Sequence, residues 1–200
     1  MLNKCEEPRQ GRGRLFVVSG PSGVGKTTLI ERFLKEDSQS RFSISYTTRK
    51  KREREIDGKN YYFVDREIFD RMIGDNCFLE WEKVHGYLYG TPRKEILEAL
   101  DQGIDLFLDI DVNGAVKVKE RYPDSCLIFV EPPSEEDLRN RLVLRGEKEI
   151  ALRMKRVHQE MEKKYLFQYS VINDRLDNAY RDFKRIIETV RRETHGKNHC

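Results

Sequence analysis

The sequence predicts a three-layer α/β fold with a mostly parallel central sheet, organised around a phosphate-binding loop. Three observations carry that prediction. Gly20-Pro21-Ser22-Gly23-Val24-Gly25-Lys26-Thr27 fits G-x-x-x-x-G-K-[ST], follows the apolar run Leu15-Phe16-Val17-Val18 and leads into an amphipathic helical segment, Thr28 to Leu34. Continuous apolar runs ending at Leu108 and Val130 alternate with helical segments, the rhythm of repeated βα units. The acidic residues Asp109 and Asp111 stand where the first of those runs ends, and ligands of open parallel sheets bind at the C-terminal ends of strands.

The loop has a clear chemical logic. Glycines let backbone N–H groups converge on phosphate oxygens, and the helix N-terminus adds partial positive charge. Lys26 supplies a full charge, and the Thr27 hydroxyl is a ligand for Mg²⁺. A glycine-rich turn of purely structural role would require neither lysine nor threonine there. The loop alone names a cofactor class and not a reaction, since GTPases, motor and transport ATPases and small-molecule kinases share it.

Composition bounds the rest. Two hundred residues with 38% hydrophobic content suit one domain with room for inserted lobes. Lys and Arg (38) nearly balance Asp and Glu (35), and a net charge of +3 argues against a nucleic-acid partner. Cys5, Cys77, Cys126 and Cys200 form no C-x-x-C pair, which fits reduced thiols in the cytoplasm. Met1 to Gly13 is polar and broken by Pro8, unlike a signal peptide, and no run has membrane-spanning length, so no membrane partner is expected. The sequence does not choose between a monomer and a homo-oligomer.

Taken in order, Phe42 to Tyr46 alternates with period two and Asn60 to Val64 is β-rich, with the basic cluster from Arg49 to Arg54 between them. Asp65 caps a short helix reaching about Ile73, and Phe78 to Trp81 and Tyr87 to Tyr89 return to strand. Thr91-Pro92 predicts a helix start, cap followed by proline at the first helical position, and Gly103 a stop. Asn113 to Tyr122 is helical, Cys126 to Val130 a buried strand, and Ser134 to Asp137 a capping box opening a helix to about Arg145. Ala151, Met154, Val157, Met161 and Tyr165 form the apolar stripe of a longer helix. Val171-Ile172 is a last strand, and Leu176 to Arg192 the closing helix. The β-rich section from about Ser45 to Tyr89 interrupts the βα rhythm as an inserted lobe. In it Arg49 and Arg52 could grip a phosphate bidentately, although a solvated charge run has the same composition.

At this point the chain resembles the guanylate kinase family along nearly its whole length. The resemblance rests on GPSGVGKTT (Gly20 to Thr28), SISYTTR (Ser43 to Arg49), GKNYYFV (Gly58 to Val64), FLEW (Phe78 to Trp81), YLYGT (Tyr87 to Thr91), FLDID (Phe107 to Asp111) and VIND (Val171 to Asp174). It implies transfer of the ATP γ-phosphoryl group to GMP, and also to dGMP, with Mg²⁺, the substrates being ATP and GMP. It places Ser45, Glu80, Thr91 and Asp111 at guanine, Arg49, Arg52, Tyr61 and Tyr89 at the GMP phosphate, and Asp109 with Thr27 at the metal. ATP contacts would come from Gly20 to Thr28, Arg145, Asn173 and Asp174, and the catalytic set would be Lys26, Arg49, Arg145 and Arg153. The implied division is a core of about 14–44, 92–144 and 157–192, a GMP lobe of about 45–91, a lid of about 145–156, and tails of about 1–12 and 193–200.

The chemistry is consistent with these assignments. Guanine presents N1–H and its amino group side by side, so one carboxylate at Glu80 accepts both, whereas adenine leaves it unpaired. The nucleophile is a phosphate oxygen already anionic at neutral pH, so His85 and His158 are expected to be structural. The chain departs from the family pattern after Arg145-Gly146, where the lid is about one helical turn short, and at Lys51 and Arg54, where proline and glycine are common. The alternatives are a sugar-phosphate kinase of the same fold and a non-catalytic guanylate-kinase-like binding module. A regulatory GTPase would need an N/T-K-x-D element, which the sequence lacks.

Overall fold

The computed structural model describes residues 12–196 apart from 85, 145, 147 and 148. In chain order the elements open with β1 (Leu15–Ser19), α1 (Lys26–Glu36), β2 (Ser40–Phe42), β3 (Tyr46–Thr47), β4 (Tyr62–Phe63) and α2 (Arg66–Gly74). Next come β5 (Phe78–Val84), β6 (Tyr87–Pro92), α3 (Arg93–Asp101), β7 (Asp105–Asp109) and α4 (Val112–Arg121). The chain continues through β8 (Cys126–Glu131), α5 (Glu135–Leu144), α6 (Ile150–Glu162), β9 (Tyr169–Ile172) and α7 (Leu176–Gly196).

Five strands make one sheet in the order β2-β7-β1-β8-β9, and every neighbouring pair is parallel. The continuous apolar runs of β1, β7 and β8 are buried on both faces, as parallel strands under two helical layers must be. Val18, Phe107, Ile128 and Phe183 lie in one apolar cluster with α1 and α7, while Val17, Leu108 and Leu127 face the other with α3 and α4. β1 lies between β7 and β8, where the strand order reverses, so the phosphate loop leaves the sheet at its switch point. The pairing of Val18 with Asp109 sets that carboxylate beside the loop.

A second sheet, β4-β3-β6-β5, is built from the inserted section, with its own core of Phe69, Phe78 and Leu88. Here two expectations change. Phe42 to Tyr46 is not one strand: β2 ends at Phe42 and β3 begins at Tyr46, and Ser43 to Ser45 cross from one sheet to the other. Thr91-Pro92 belongs to β6, and α3 starts at Arg93 with Pro92 as its cap, because the Thr91 hydroxyl is engaged across the sheet. The caps at Asp65, which accepts from Ile68 N at 2.8 Å, and at Ser134, which accepts from Asp137 N at 3.1 Å, form as expected. No helix among the described residues is long and apolar enough to cross a membrane.

Candidate functional site

Between the two sheets and α6 lies a cleft of about 640 Å³, a size that suits small-molecule substrates. Its floor is the loop. Gly20, Gly23 and Gly25 all adopt positive φ, and a side chain at Gly25 would collide with the Asn173 amide nitrogen, so the backbone can take this shape only as glycine. Lys26 Nζ donates to the carbonyls of Gly20 (2.7 Å) and Pro21 (3.2 Å) and stands 3.8 Å from Asp109 Oδ1. The Thr27 hydroxyl donates to Asp109 Oδ2 at 2.7 Å. A hydroxyl and a carboxylate so placed are hard oxygen donors of the kind Mg²⁺ takes alongside water and phosphate, so the pair fits that ion.

The opposite wall is basic and aromatic. Arg49 Nε donates to the Tyr89 hydroxyl at 3.2 Å, and its two terminal nitrogens donate to Glu55 at 3.0 and 2.7 Å. Burial pulls the guanidinium pKa down, but the bonds to Glu55 and Tyr89 outweigh it and the net shift is upward. Tyr61 packs edge-on against Tyr89 with ring centroids 5.7 Å apart and lies under the Arg49 guanidinium. Glu55 also accepts from Arg52 N at 2.8 Å, so one carboxylate, its proton affinity lowered despite burial, ties the Arg49 side chain to the Arg52 backbone.

The third wall is acidic. A register shift between Phe78 and Glu80 sets Glu80 opposite Thr91, whose hydroxyl donates to Glu80 Oε1. Glu80 is only 4% exposed, and burial pushes its carboxyl up to about 7, against the opposing pull of the Thr91 bond. Asp111 caps α4, accepting from Gly114 N at 2.8 Å, and its other oxygen is 3.4 Å from Arg156 of α6. Ser45 is buried at the same wall. Arg153, one turn earlier on α6, reaches Ser22 Oγ at 3.4 Å.

The cleft thus gathers Gly20, Ser22, Gly23, Gly25, Lys26, Thr27, Thr28, Ser45, Arg49, Arg52, Tyr61, Glu80, Tyr89, Asp109, Asp111 and Arg153. Pro21, Val24 and Thr91 do not line it: Val24 and Thr91 are fully buried, and the Pro21 carbonyl accepts from Lys26. Asn173 and Asp174 are not brought in. The Asn173 amide donates to Val24 O at 2.7 Å and so braces the loop, while exposed Asp174 accepts from Arg175 N ahead of α7. Arg145 and His85 lie outside the described residues. His158 is exposed, with Nε2 3.0 Å from Glu135 of α5.

Sequence reasoning missed Glu55, Arg156 and Glu160. Arg156 donates to Glu160 at 2.8 Å, and burial raises the Glu160 carboxyl. The signal was present in the spacing: Arg153, Arg156 and Glu160 follow one another at three and four residues, one face of a helix.

Comparison with known proteins agrees with this geometry. The guanylate kinase family model matches residues 12–190. A guanylate kinase of Caldanaerobacter subterraneus subsp. tengcongensis is 45% identical over 179 residues, 88% of this chain and 87% of that protein. One from Thermus thermophilus is 44% identical over 186 residues, 92% of this chain and 84% of the relative. The crystal structure of guanylate kinase from Anaplasma phagocytophilum superposes with a TM-score of 0.76 at 32% identity, covering 90% of this chain and 87% of that one. With that family match and those identities over most of its length, the chain belongs to the guanylate kinase family.

Proposed function

We propose that the chain transfers the γ-phosphoryl group of ATP to GMP, giving ADP and GDP. The observation that carries this reading is the pairing, across one cleft, of an intact phosphate loop with a buried carboxylate, Glu80, beside an arginine-tyrosine anion grip. The loop amides and Lys26 hold the donor phosphates. Arg49, Arg52, Tyr61 and Tyr89 hold the acceptor phosphate, and Glu80 with Asp111 and Ser45 accepts the guanine donors. Asp109 and Thr27 would hold Mg²⁺, which when bound neutralises donor-phosphate charge. The second sheet, about 45–91, acts as the acceptor lobe and about 145–156 as the lid over the remaining core.

No proton need be removed from the nucleophile, so the chemistry rests on alignment and charge. Three cations of the cleft face carboxylates: Lys26 faces Asp109, Arg49 faces Glu55 and Arg156 faces Asp111. Phosphates take over those cations when substrates bind. Phosphorus NMR of ATP, Mg²⁺ and GMP with the protein tests the reading: GDP and ADP should rise one for one. ADP without GDP, or no turnover, would refute it.

A further inference from the structure

We propose that Gly114 is a specificity-determining positioning residue, one that makes room for the Glu80 carboxylate and anchors Asp111; this rests on the reading of Glu80 as the group that accepts from guanine. Gly114 is buried in the first turn of α4. A Cβ built there stands 2.9 Å from Glu80 Oε2 and 3.2 Å from Glu80 Cδ, well inside the roughly 3.5–4.0 Å of a relaxed contact. Its third neighbour, Ile110 Cδ1 at 3.5 Å, is at ordinary contact distance.

The backbone gives no reason for glycine. Gly114 is not among the positive-φ residues, and it lies inside a helix, where alanine is the better former. The crowding comes from one side chain, and that side chain has little freedom to retreat. Glu80 Oε1 is engaged by the Thr91 hydroxyl directly opposite it, and Leu79, its neighbour in β5, is fixed in the main core. At the same time Gly114 N donates to Asp111 Oδ1. A single residue therefore touches both carboxylates that would read the base, one through the absence of a side chain and one through its amide. Adding a methyl displaces Glu80 while leaving the phosphate loop and the Arg49 grip untouched.

The test is a double-mutant cycle read by calorimetric titration with GMP, alongside ATP kinetics and thermal melts. Gly114→Ala should weaken GMP binding by about tenfold or more, the scale expected when a contact group is displaced, with the ATP KM within about twofold of wild type. In a Glu80→Ala background the same Gly114→Ala change should alter GMP binding by less than about twofold, because the group it displaces is gone. Wild-type GMP affinity in Gly114→Ala, or an equal loss in both backgrounds, overturns the inference. If Gly114→Ala alone does not fold, the double variant decides: folding supports crowding by Glu80, and failure to fold overturns it. Wild-type GMP affinity in Glu80→Ala would instead overturn the assignment of Glu80 itself.

Discussion

The Glu80 carboxylate lies 4% exposed between the Thr91 hydroxyl and Gly114, with its pKa pushed up to about 7 by burial, and the nearby Asp111 charge adds to the rise. The folded-state value exceeds the unfolded 4.5, so the stability this group contributes is fully present below pH 4.5 and is lost as pH rises through 7. The cost of ionising it is on the order of 3 kcal/mol in the free protein. On the proposed reading of Glu80 as the group that accepts from guanine, the base reverses that preference, because its paired donors favour the ionised form. Between pH 5.5 and 8, wild-type melting temperature should therefore fall relative to Glu80→Gln, while GMP affinity rises relative to the same variant. The ionisation of the GMP phosphate is common to both proteins and cancels in the ratio. Parallel pH profiles for the two proteins would contradict the assignment. That Glu80 and Arg49 would share one cleft was legible in the sequence because separated motifs resembled a family. Glu55 and Arg156 were not, because an ion partner is chosen by tertiary approach and a charge run looks the same solvated or paired.

At the scale of the element, α6 faces both the core and the cleft. Val157 is buried with Met154 and Met161 packed beside it, and Arg153 and Arg156 line the cleft. The apolar stripe was legible in its periodicity, but only in part: α6 ends at Glu162, and Tyr165 falls in a 3-10 turn, 81% exposed. Arg153→Ala should lower kcat by about 10²-fold, the scale of losing one transition-state donor, with little change in GMP affinity. Stopped-flow single turnover with calorimetric GMP binding separates the two, and an unchanged kcat removes Arg153 from the catalytic set. The start of α3 shows the opposite limit. Thr91-Pro92 has the local form of a cap, yet the partner waiting across β5 takes the hydroxyl, and propensity yields to pairing.

At the scale of the molecule, the loop and the apolar runs sufficed for a parallel α/β sheet, since continuous burial leaves few other solutions. The order β2-β7-β1-β8-β9 and the pairing of Val18 with Asp109 were not readable from periodicity, because register is settled by which strands meet. Those pairings turn separate motifs into one site: β1 delivers the loop, β7 delivers Asp109, and the second sheet delivers Arg49, Tyr89 and Glu80 to the same cleft. As proposed, this cleft takes guanosine monophosphate as acceptor. The most direct measurement is ADP release from ATP and Mg²⁺ with GMP, AMP, UMP and a sugar phosphate compared at equal concentration. GMP should exceed every competitor in kcat/KM by about 10²-fold or more, the discrimination expected when a buried carboxylate is left unpaired. Preferred turnover of AMP, UMP or the sugar phosphate would contradict it.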